Sequence, residues 1–259
     1  MQYYNISDVC VNVSKLEDLD PLKVMNIVKE HTFAVIRGLF LPEELKESLE
    51  ITKKSMSRLA DHPAIGESPR SIMENYQKIV VGGGAQKDFY VPRCARIAYN
   101  PIWSEDIYGM KKHFITLARA RNILLSKPID FAVHEVENDG FWTAARLQHY
   151  PAGGGFFLKH RDAVLEKHNQ DAGMEKFIQI LLLVTQKGED FKEGGAFIEI
   201  EGKDVNLEDD FGRGDIIIYD GRSNHGVEDI DTDHLLDFNS VNGRVAALAS
   251  LYSDFSKTS

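Results

Sequence analysis

The segment Arg146–Asp162, RLQHYPAGGGFFLKHRD, joins two strand-like runs through a glycine-rich turn. Near its end, His160 and Asp162 occupy alternate positions. Alternate side chains of an extended strand point to the same face of a sheet, so this imidazole and this carboxylate can reach the same point in space. The segment therefore indicates a strand that ends in two potential metal ligands.

A second histidine completes a possible set of three ligands. His225 follows the apolar run Ile216–Tyr219 and a short turn in GDIIIYDGRSNHGVEDI. Two imidazoles and one carboxylate suit Fe(II), because this arrangement leaves several coordination positions open. The same donors would also take zinc, manganese or cobalt, so residue types alone do not select the metal. The competitor for the distal position is His234, in the polar stretch DTDHLLDFNSVN.

Short runs rich in β-branched and aromatic residues follow one another from Phe131 onward. Glycine, aspartate and asparagine turns separate them, as is typical of an all-β sandwich or barrel. The runs are FAVHEV, AARLQHY, FFLKH, FIQILLLVTQ, GAFIEIEG, GDIIIYD and GRVAALASLY. We expect residues 131–259 to form a double-stranded β-helix, or jelly roll.

Helical patterns dominate the first half of the chain. The run PLKVMNIVKEH places apolar residues at helical spacing from Pro21, and the run TFAVIRGLF after it predicts a buried strand. A second helix is expected to begin at Pro42, where the missing amide costs little. Ser104 is expected to cap a third helix that extends to about Leu125.

The composition is that of an ordinary folded protein. The chain has 259 residues, of which 43% are hydrophobic and 27% are charged, and this length allows a substantial core. We expect one α+β domain, mainly β, over residues 1–259. Residues 1–130 would supply helices packed on one face of the jelly roll.

The segment of residues 61–100 lacks periodicity and contains several prolines and glycines. A long irregular segment in a compact domain is usually functional, so a lid over the site is predicted. Its candidate substrate contacts are Tyr76, Phe89, Tyr90 and Arg93. The alternative is that these side chains only fix the segment to the body of the domain.

Charge and cysteine content limit the possible partners. A net charge of -10 argues against a nucleic-acid-binding protein, which needs a basic face. The two cysteines are too few for a disulfide framework, and no apolar leader opens the chain. The longest apolar run, near Ile178–Val184, is far shorter than a membrane span. We therefore expect a cytoplasmic enzyme with a small-molecule substrate and no nucleic-acid or membrane partner.

The order of the candidate residues resembles that in the Fe(II)/2-oxoglutarate-dependent oxygenase family. The pattern is His-x-Asp, a distal histidine and a later arginine, represented here by His160, Asp162, His225 and Arg244. It covers roughly the C-terminal half of the chain. The family presents its distal histidine after a strand and a short turn, which favours His225 over His234. The resemblance implies that the first three residues bind iron and that Arg244 binds the remote carboxylate of the oxoacid.

The position of Arg244 departs from the family pattern, in which the basic residue follows the distal histidine more closely. Residues 231–242 are therefore expected to form a lengthened hairpin that leaves strand pairing unchanged. Arg146 is the alternative oxoacid ligand. Gln148 and Tyr150 share a strand face with Arg146 and are candidates for further hydrogen bonds to the oxoacid. An arginine fork could hold the carboxylate through two hydrogen bonds, which a lysine cannot do.

The resemblance also implies a reaction. O2 and 2-oxoglutarate would be consumed, succinate and CO2 released, and an unactivated C–H bond of an amino acid or natural-product intermediate hydroxylated. Related halogenases carry a small residue in place of the carboxylate ligand, so Asp162 implies hydroxylation. No catalytic residue beyond the metal ligands is expected. One alternative is a prolyl-hydroxylase-like enzyme that acts on a peptide, because the stretch GGAFIEI resembles the prolyl-hydroxylase branch of the family. The others are a cupin-like metal enzyme without an oxoacid and a non-catalytic binding module.

Overall fold

The computed structural model describes residues 3–62, 72–83, 91–163, 165–166, 170 and 176–253. The helices in these residues are α1 (Ile6–Val9), α2 (Pro21–His31), α3 (Pro42–Arg58) and α4 (Lys111–Leu124). The strands are β1 (Cys10–Asn12), β2 (Phe33–Arg37), β3 (Tyr76–Gly82), β4 (Arg93–Tyr99), β5 (Phe141–Pro151), β6 (Gly155–His160), β7 (Ile178–Leu183), β8 (Gly195–Ile200), β9 (Lys203–Asn206), β10 (Ile216–Asp220), β11 (His225–Ile230) and β12 (Gly243–Ser253).

The strands form one sheet that bends into two arms. Its order is β1-β2-β10-β7-β12-β5-β4-β6-β11-β8-β9, and β3 pairs with β4 outside this path. The bend lies at β4, which pairs with β5 near Tyr99 and with β6 at Arg93 and Cys94. One arm therefore contains β10, β7, β12 and β5, and the other contains β6, β11, β8 and β9.

Alternation along the strands separates two cores. On β7, Ile180 and Leu182 pack with α2 and α4, whereas Leu181 and Leu183 point between the arms and pack with Ile198 of β8. Each such buried side chain stabilises the fold by roughly 1.5–3 kcal/mol. The helices thus cover one face of a jelly roll whose other face lines its interior. This arrangement confirms the predicted α+β, mainly β fold class.

Two helix starts show how local hydrogen bonding sets the element boundaries. Asp20 caps α2, since its carboxylate accepts bonds from the amides of the first turn. The third predicted helix corresponds to α4 and begins at Lys111, whereas the sequence predicts a start at Ser104. Its N-cap residue is Met110, whose side chain makes no capping bond, and the carboxylate of Asp106 accepts hydrogen bonds from the amides of Met110 (3.1 Å) and Lys111 (3.3 Å).

Residues 61–100 are not the irregular segment that the sequence predicts. β3 and β4 lie in this range and pair as antiparallel strands, with Tyr76 opposite Tyr99. Their alternation is weak in the sequence because β4 is buried on both faces over most of its length. A lid across the whole range is therefore wrong. The parts of that prediction on residues 63–71 and 84–90 lie outside the described residues.

The run FAVHEV is a turn and not a strand. Ala132 has a positive φ of 54°, which an extended strand does not allow. Its carbonyl accepts hydrogen bonds from the amide (3.1 Å) and the hydroxyl (2.6 Å) of Thr143 on β5. The run therefore folds back against the edge of β5.

Residues 231–242 connect the two arms and do not form a hairpin. β11 pairs with β6 and β8, whereas β12 pairs with β5 and β7. Arg96 fixes the connection by donating to the carbonyl of Phe238 (2.6 Å). The extra residues lie outside both β11 and β12, so the expectation that they leave strand pairing unchanged holds although the hairpin does not form. None of the described helices is both long and apolar enough to span a bilayer.

Candidate metal centre

Three side chains converge where β6 ends and β11 begins. His160 is the last residue of β6 and lies opposite His225, the first residue of β11. Asp162 follows β6, and its amide donates to the carbonyl of Gly221 (3.0 Å), which fixes the turn. One ligand atom from each of the three side chains lies within 4.8 Å of the other two. The predicted triad therefore forms a group that could hold a metal ion.

Backbone carbonyls orient both imidazoles. Nδ1 of His160 is 2.8 Å from the carbonyl of Leu158, and Nδ1 of His225 is 2.9 Å from that of Ser223. A carbonyl only accepts, so Nδ1 carries the proton and Nε2 of the neutral ring keeps its lone pair. The two Nε2 atoms lie 3.7 Å and 3.6 Å from the carboxylate oxygens of Asp162. All three donors therefore face a common centre.

The charge states suit a cation. Burial is the main cause that lowers the pKa of His225, so this ring is neutral near neutral pH. Burial raises the pKa of Asp162, but the interactions with His160, His225 and Arg146 outweigh it, and the net pKa is lowered. The site thus offers the carboxylate of Asp162 and the neutral imidazole of His225, which are ligand forms that a divalent metal binds.

Gln179 holds the carboxylate ligand in place, which the sequence reading missed. Its Nε2 donates to Oδ2 of Asp162 (2.9 Å), and its Oε1 accepts from the hydroxyl of Ser250 (2.9 Å). A polar residue inside the apolar run FIQILLLV was the available signal. Gln179 lies on the inward face of β7, which it shares with the apolar side chains of Leu181 and Leu183.

A pocket of about 140 Å³ opens beside the triad, between the two arms. A water molecule needs roughly 10–15 Å³ of such space, so the pocket has room for a small organic molecule. Its lining includes the predicted residues Arg93, Arg146, Gln148, Tyr150 and Arg244. Among the described residues, Tyr76 is not part of the lining and packs behind it with Tyr99 and Trp142, so its predicted substrate contact stays a prediction. Phe89 and Tyr90 lie outside the described residues.

Arg244 is buried with part of its guanidinium unused. It is 1% exposed, and its Nε donates to Oε1 of Glu208 (2.5 Å), which also accepts from the amide of Ala196 (2.8 Å). Nη2 of Arg244 has no hydrogen-bond partner among the described residues. Nearby, the hydroxyl of Tyr150 donates to Gln148 (3.0 Å). A buried N–H edge beside the pocket fits a carboxylate ligand.

Arg146 occupies a different part of the same pocket. Its guanidinium lies over the ring of Tyr252, at 5.5 Å from the ring centroid, whereas that of Arg244 lies 5.3 Å from the centroid of Tyr150. The two arginines predicted as alternatives for one role are therefore both present, at different positions. Glu208 had no signal in the sequence, because only the fold brings it to Arg244.

Comparisons with known proteins identify the fold. No protein-family model matches the sequence, and a search of curated proteins found no match. A prolyl hydroxylase from Trichoplax adhaerens, in complex with a hypoxia inducible factor oxygen degradation domain peptide fragment, is 14% identical, with a TM-score of 0.54 over 92% of this chain and 91% of that one. A Pseudomonas putida prolyl-4-hydroxylase is 9% identical, with a TM-score of 0.55 over 91% of this chain and 100% of that one.

A third solved structure has a similar fold. An oxidoreductase of the 2OG-Fe(II) oxygenase family from Burkholderia pseudomallei is 10% identical, with a TM-score of 0.50 over 93% of this chain and 94% of that one. At these identities the similarity establishes the fold. The chain has the jelly-roll fold of the 2OG-Fe(II) oxygenases, and the fold implied by the sequence resemblance is confirmed.

Proposed function

We propose that this chain is a non-haem Fe(II)- and 2-oxoglutarate-dependent oxygenase that hydroxylates an unactivated C–H bond of a small molecule. The observation that carries the proposal is the convergence of His160, Asp162 and His225 at the mouth of the jelly-roll pocket. The fold shared with prolyl hydroxylases and with a 2OG-Fe(II) oxygenase supports it. Three protein ligands leave open positions on iron, as oxygenase chemistry requires.

In this proposal the residues of the pocket bind and orient, while the bound iron and 2-oxoglutarate supply the activation of O2. His160, Asp162 and His225 would hold the metal, and Gln179 would keep the carboxylate turned toward it. The N–H edge of Arg244 would bind the remote carboxylate of 2-oxoglutarate. We assign this role to Arg244 because its buried Nη2 needs an acceptor.

The polar residues beside Arg244 have supporting roles in the proposal. Glu208 fixes the guanidinium through Nε and leaves Nη2 available. Tyr150 and Gln148 are already hydrogen-bonded to each other and would border the oxoacid. The free thiols of Cys10 and Cys94 support a reducing, cytoplasmic location.

Succinate formation tests the proposal. The purified chain with Fe(II), O2 and 2-oxoglutarate should release succinate, and His160→Ala should reduce the rate to that of protein-free controls. His234→Ala is the matched control, because the side chain of this histidine is exposed and its imidazole bonds the carboxylate of its neighbour Asp233. Metal binding without succinate formation would instead indicate a cupin-like enzyme. Succinate formation stimulated only by prolyl peptides would indicate the peptide-directed alternative.

A further inference from the structure

The pocket is basic although the chain is acidic. Three arginines line it: Arg93 on β4, Arg146 on β5 and Arg244 on β12. Asp162 is the one acidic side chain among the described residues of the lining. The chain as a whole has 40 acidic residues against 30 lysines and arginines. Positive charge is therefore concentrated where ligands would bind.

Arg146 lies closer to the metal ligands than Arg244 does. In the pairing of β5 with β12, Arg146 is opposite Leu248, whereas Arg244 is opposite Tyr150 at the far end of both strands. Leu248 is the inward-facing neighbour of Ser250, which is hydrogen-bonded to the glutamine that holds Asp162. The guanidinium of Arg146 extends beyond Leu248 and Ser250 to the ring of Tyr252, further along β12. It therefore lies at the metal end of the pocket.

Arg93 approaches the metal ligands from the bend of the sheet, where β4 pairs with β6. It pairs with Phe157 of β6, and its guanidinium lies 5.3 Å from the centroid of that ring. The ring of His160 also stacks on Phe157, with the two ring centroids 3.9 Å apart. Two guanidinium groups thus border the metal site, one from β5 and one from β4 at the bend, and neither is the arginine assigned to 2-oxoglutarate.

We propose that Arg146 and Arg93 bind an anionic group of the substrate, and that the substrate is a small carboxylic acid. This inference rests on the proposed oxygenase function. A carboxylate matches the planar guanidinium fork in geometry and charge, and a guanidinium packed on an aromatic ring is held ready for it. The carboxylate would anchor the molecule beside the metal, so that a nearby C–H bond faces the open coordination positions.

Short acids and their amides provide a direct test with defined probes. Butyrate and butyramide have nearly the same size, but only butyrate is charged. Calorimetry would be performed anaerobically on the Fe(II) enzyme at saturating 2-oxoglutarate, so that Arg244 is occupied. Butyrate should bind roughly tenfold or more tightly than butyramide, and Arg146→Gln should remove this difference. Equal binding of the two probes, or binding of neither, would overturn the inference.

Turnover provides the second measurement. Each of the common L-amino acids, offered as acid and as carboxamide, would be tested for stimulated succinate formation. At least one free acid should stimulate, with its amide weaker by roughly tenfold. Arg146→Gln should raise the KM for that acid more than the KM for 2-oxoglutarate, and Arg146→Lys should restore part of the loss. Arg119→Gln is the control, because Arg119 lies on α4 and pairs with Asp130.

The outcomes separate this inference from the function on which it rests. No turnover of 2-oxoglutarate under any condition would refute the oxygenase proposal itself. Turnover that is stimulated equally by acids and amides, by blocked peptides alone, or by no acid of the set would refute only the anionic-substrate inference. Thermal unfolding of Arg146→Gln and Arg93→Gln shows whether each variant is folded, and Arg93 is the less buried of the two.

Discussion

The metal end of the pocket, formed by His160, Asp162 and His225, is built differently from its buried end, formed by Arg244 and Glu208. The three potential ligands sit at strand ends and in a turn, with side chains 8%, 18% and 11% exposed and held mainly by backbone carbonyls and a glutamine. The buried end is an ion pair whose two side chains are each 1% exposed. We infer that the first can lose a residue with little effect on folding, whereas the second cannot.

The largest expected effect on stability is at the buried end. Arg244→Ala should lower the free energy of unfolding by about 3–5 kcal/mol, because it leaves Glu208 buried without its cation. Urea unfolding measures this change. His160→Ala, at the metal end, should change stability by only about 1 kcal/mol or less in the metal-free protein.

A double variant sharpens that prediction. Arg244→Ala combined with Glu208→Ala should be more stable than Arg244→Ala alone, since no unpaired charge remains. If the two losses simply add, the ion pair does not govern the stability of the buried end. The contrast between the two ends would then be refuted.

An intermediate effect, on the affinity for Fe(II), is expected at Gln179 of β7, which bonds the carboxylate ligand. Gln179→Ala should weaken Fe(II) binding by roughly 10–100-fold, because it removes the hydrogen bond that orients Asp162. Anaerobic iron titration measures the affinity. Thr116→Ala on α4 is a suitable control, since the hydroxyl of Thr116 lies at the protein surface and donates to the carbonyl of Lys112 on its own helix. An unchanged affinity in Gln179→Ala would show that the turn alone positions the carboxylate.

A gradual effect should appear as acid sensitivity beside the buried end. His149 is buried next to Tyr150, bonds the carbonyl of Asn242 (3.0 Å), and has a pKa lowered by burial to about 4. The unfolded chain has the ordinary value near 6.5, so it binds more protons between these values. The stability contributed by the neutral ring is complete above about pH 6.5 and falls by about 1.4 kcal/mol per pH unit as the pH drops toward 4.

His113 provides the comparison for this pH dependence. It is buried under α3, bonds Ser48 (3.0 Å) and also has a pKa of about 4 because of burial. Each of the two histidines should therefore contribute to the loss of stability in acid. His149→Gln should reduce the slope of unfolding free energy against pH below 6.5, whereas Thr116→Ala, which removes no titratable group, should not change it. An unchanged slope in His149→Gln would mean that His149 is not buried in its neutral form.

The sequence predicts the metal end better than the buried end for a physical reason. His160 and Asp162 share a face through strand geometry alone, so their local spacing is informative. Glu208 reaches Arg244 only after the arms of the sheet have closed, and no local pattern encodes that contact. Gln179 was visible as a polar residue in an apolar strand, but its partner could not be deduced.

The errors in the predicted elements have other causes. β3 and β4 were missed because burial on both faces of β4 removes the alternation that identifies a strand. The helix after Ser104 starts late because Asp106, and not the serine, accepts the bonds of its first amides. The arrangement of residues 1–259 as a single domain stays a prediction.

Stoichiometric iron binding tests most directly whether three side chains form one metal site. Fe(II) would be titrated anaerobically into metal-free protein, with bound iron measured by calorimetry and by direct analysis. The wild-type chain and His234→Ala should each bind one iron per chain, whereas His160→Ala, Asp162→Ala and His225→Ala should each lose tight binding. Retention of wild-type affinity by His225→Ala or Asp162→Ala would contradict the triad and, with it, the proposed oxygenase.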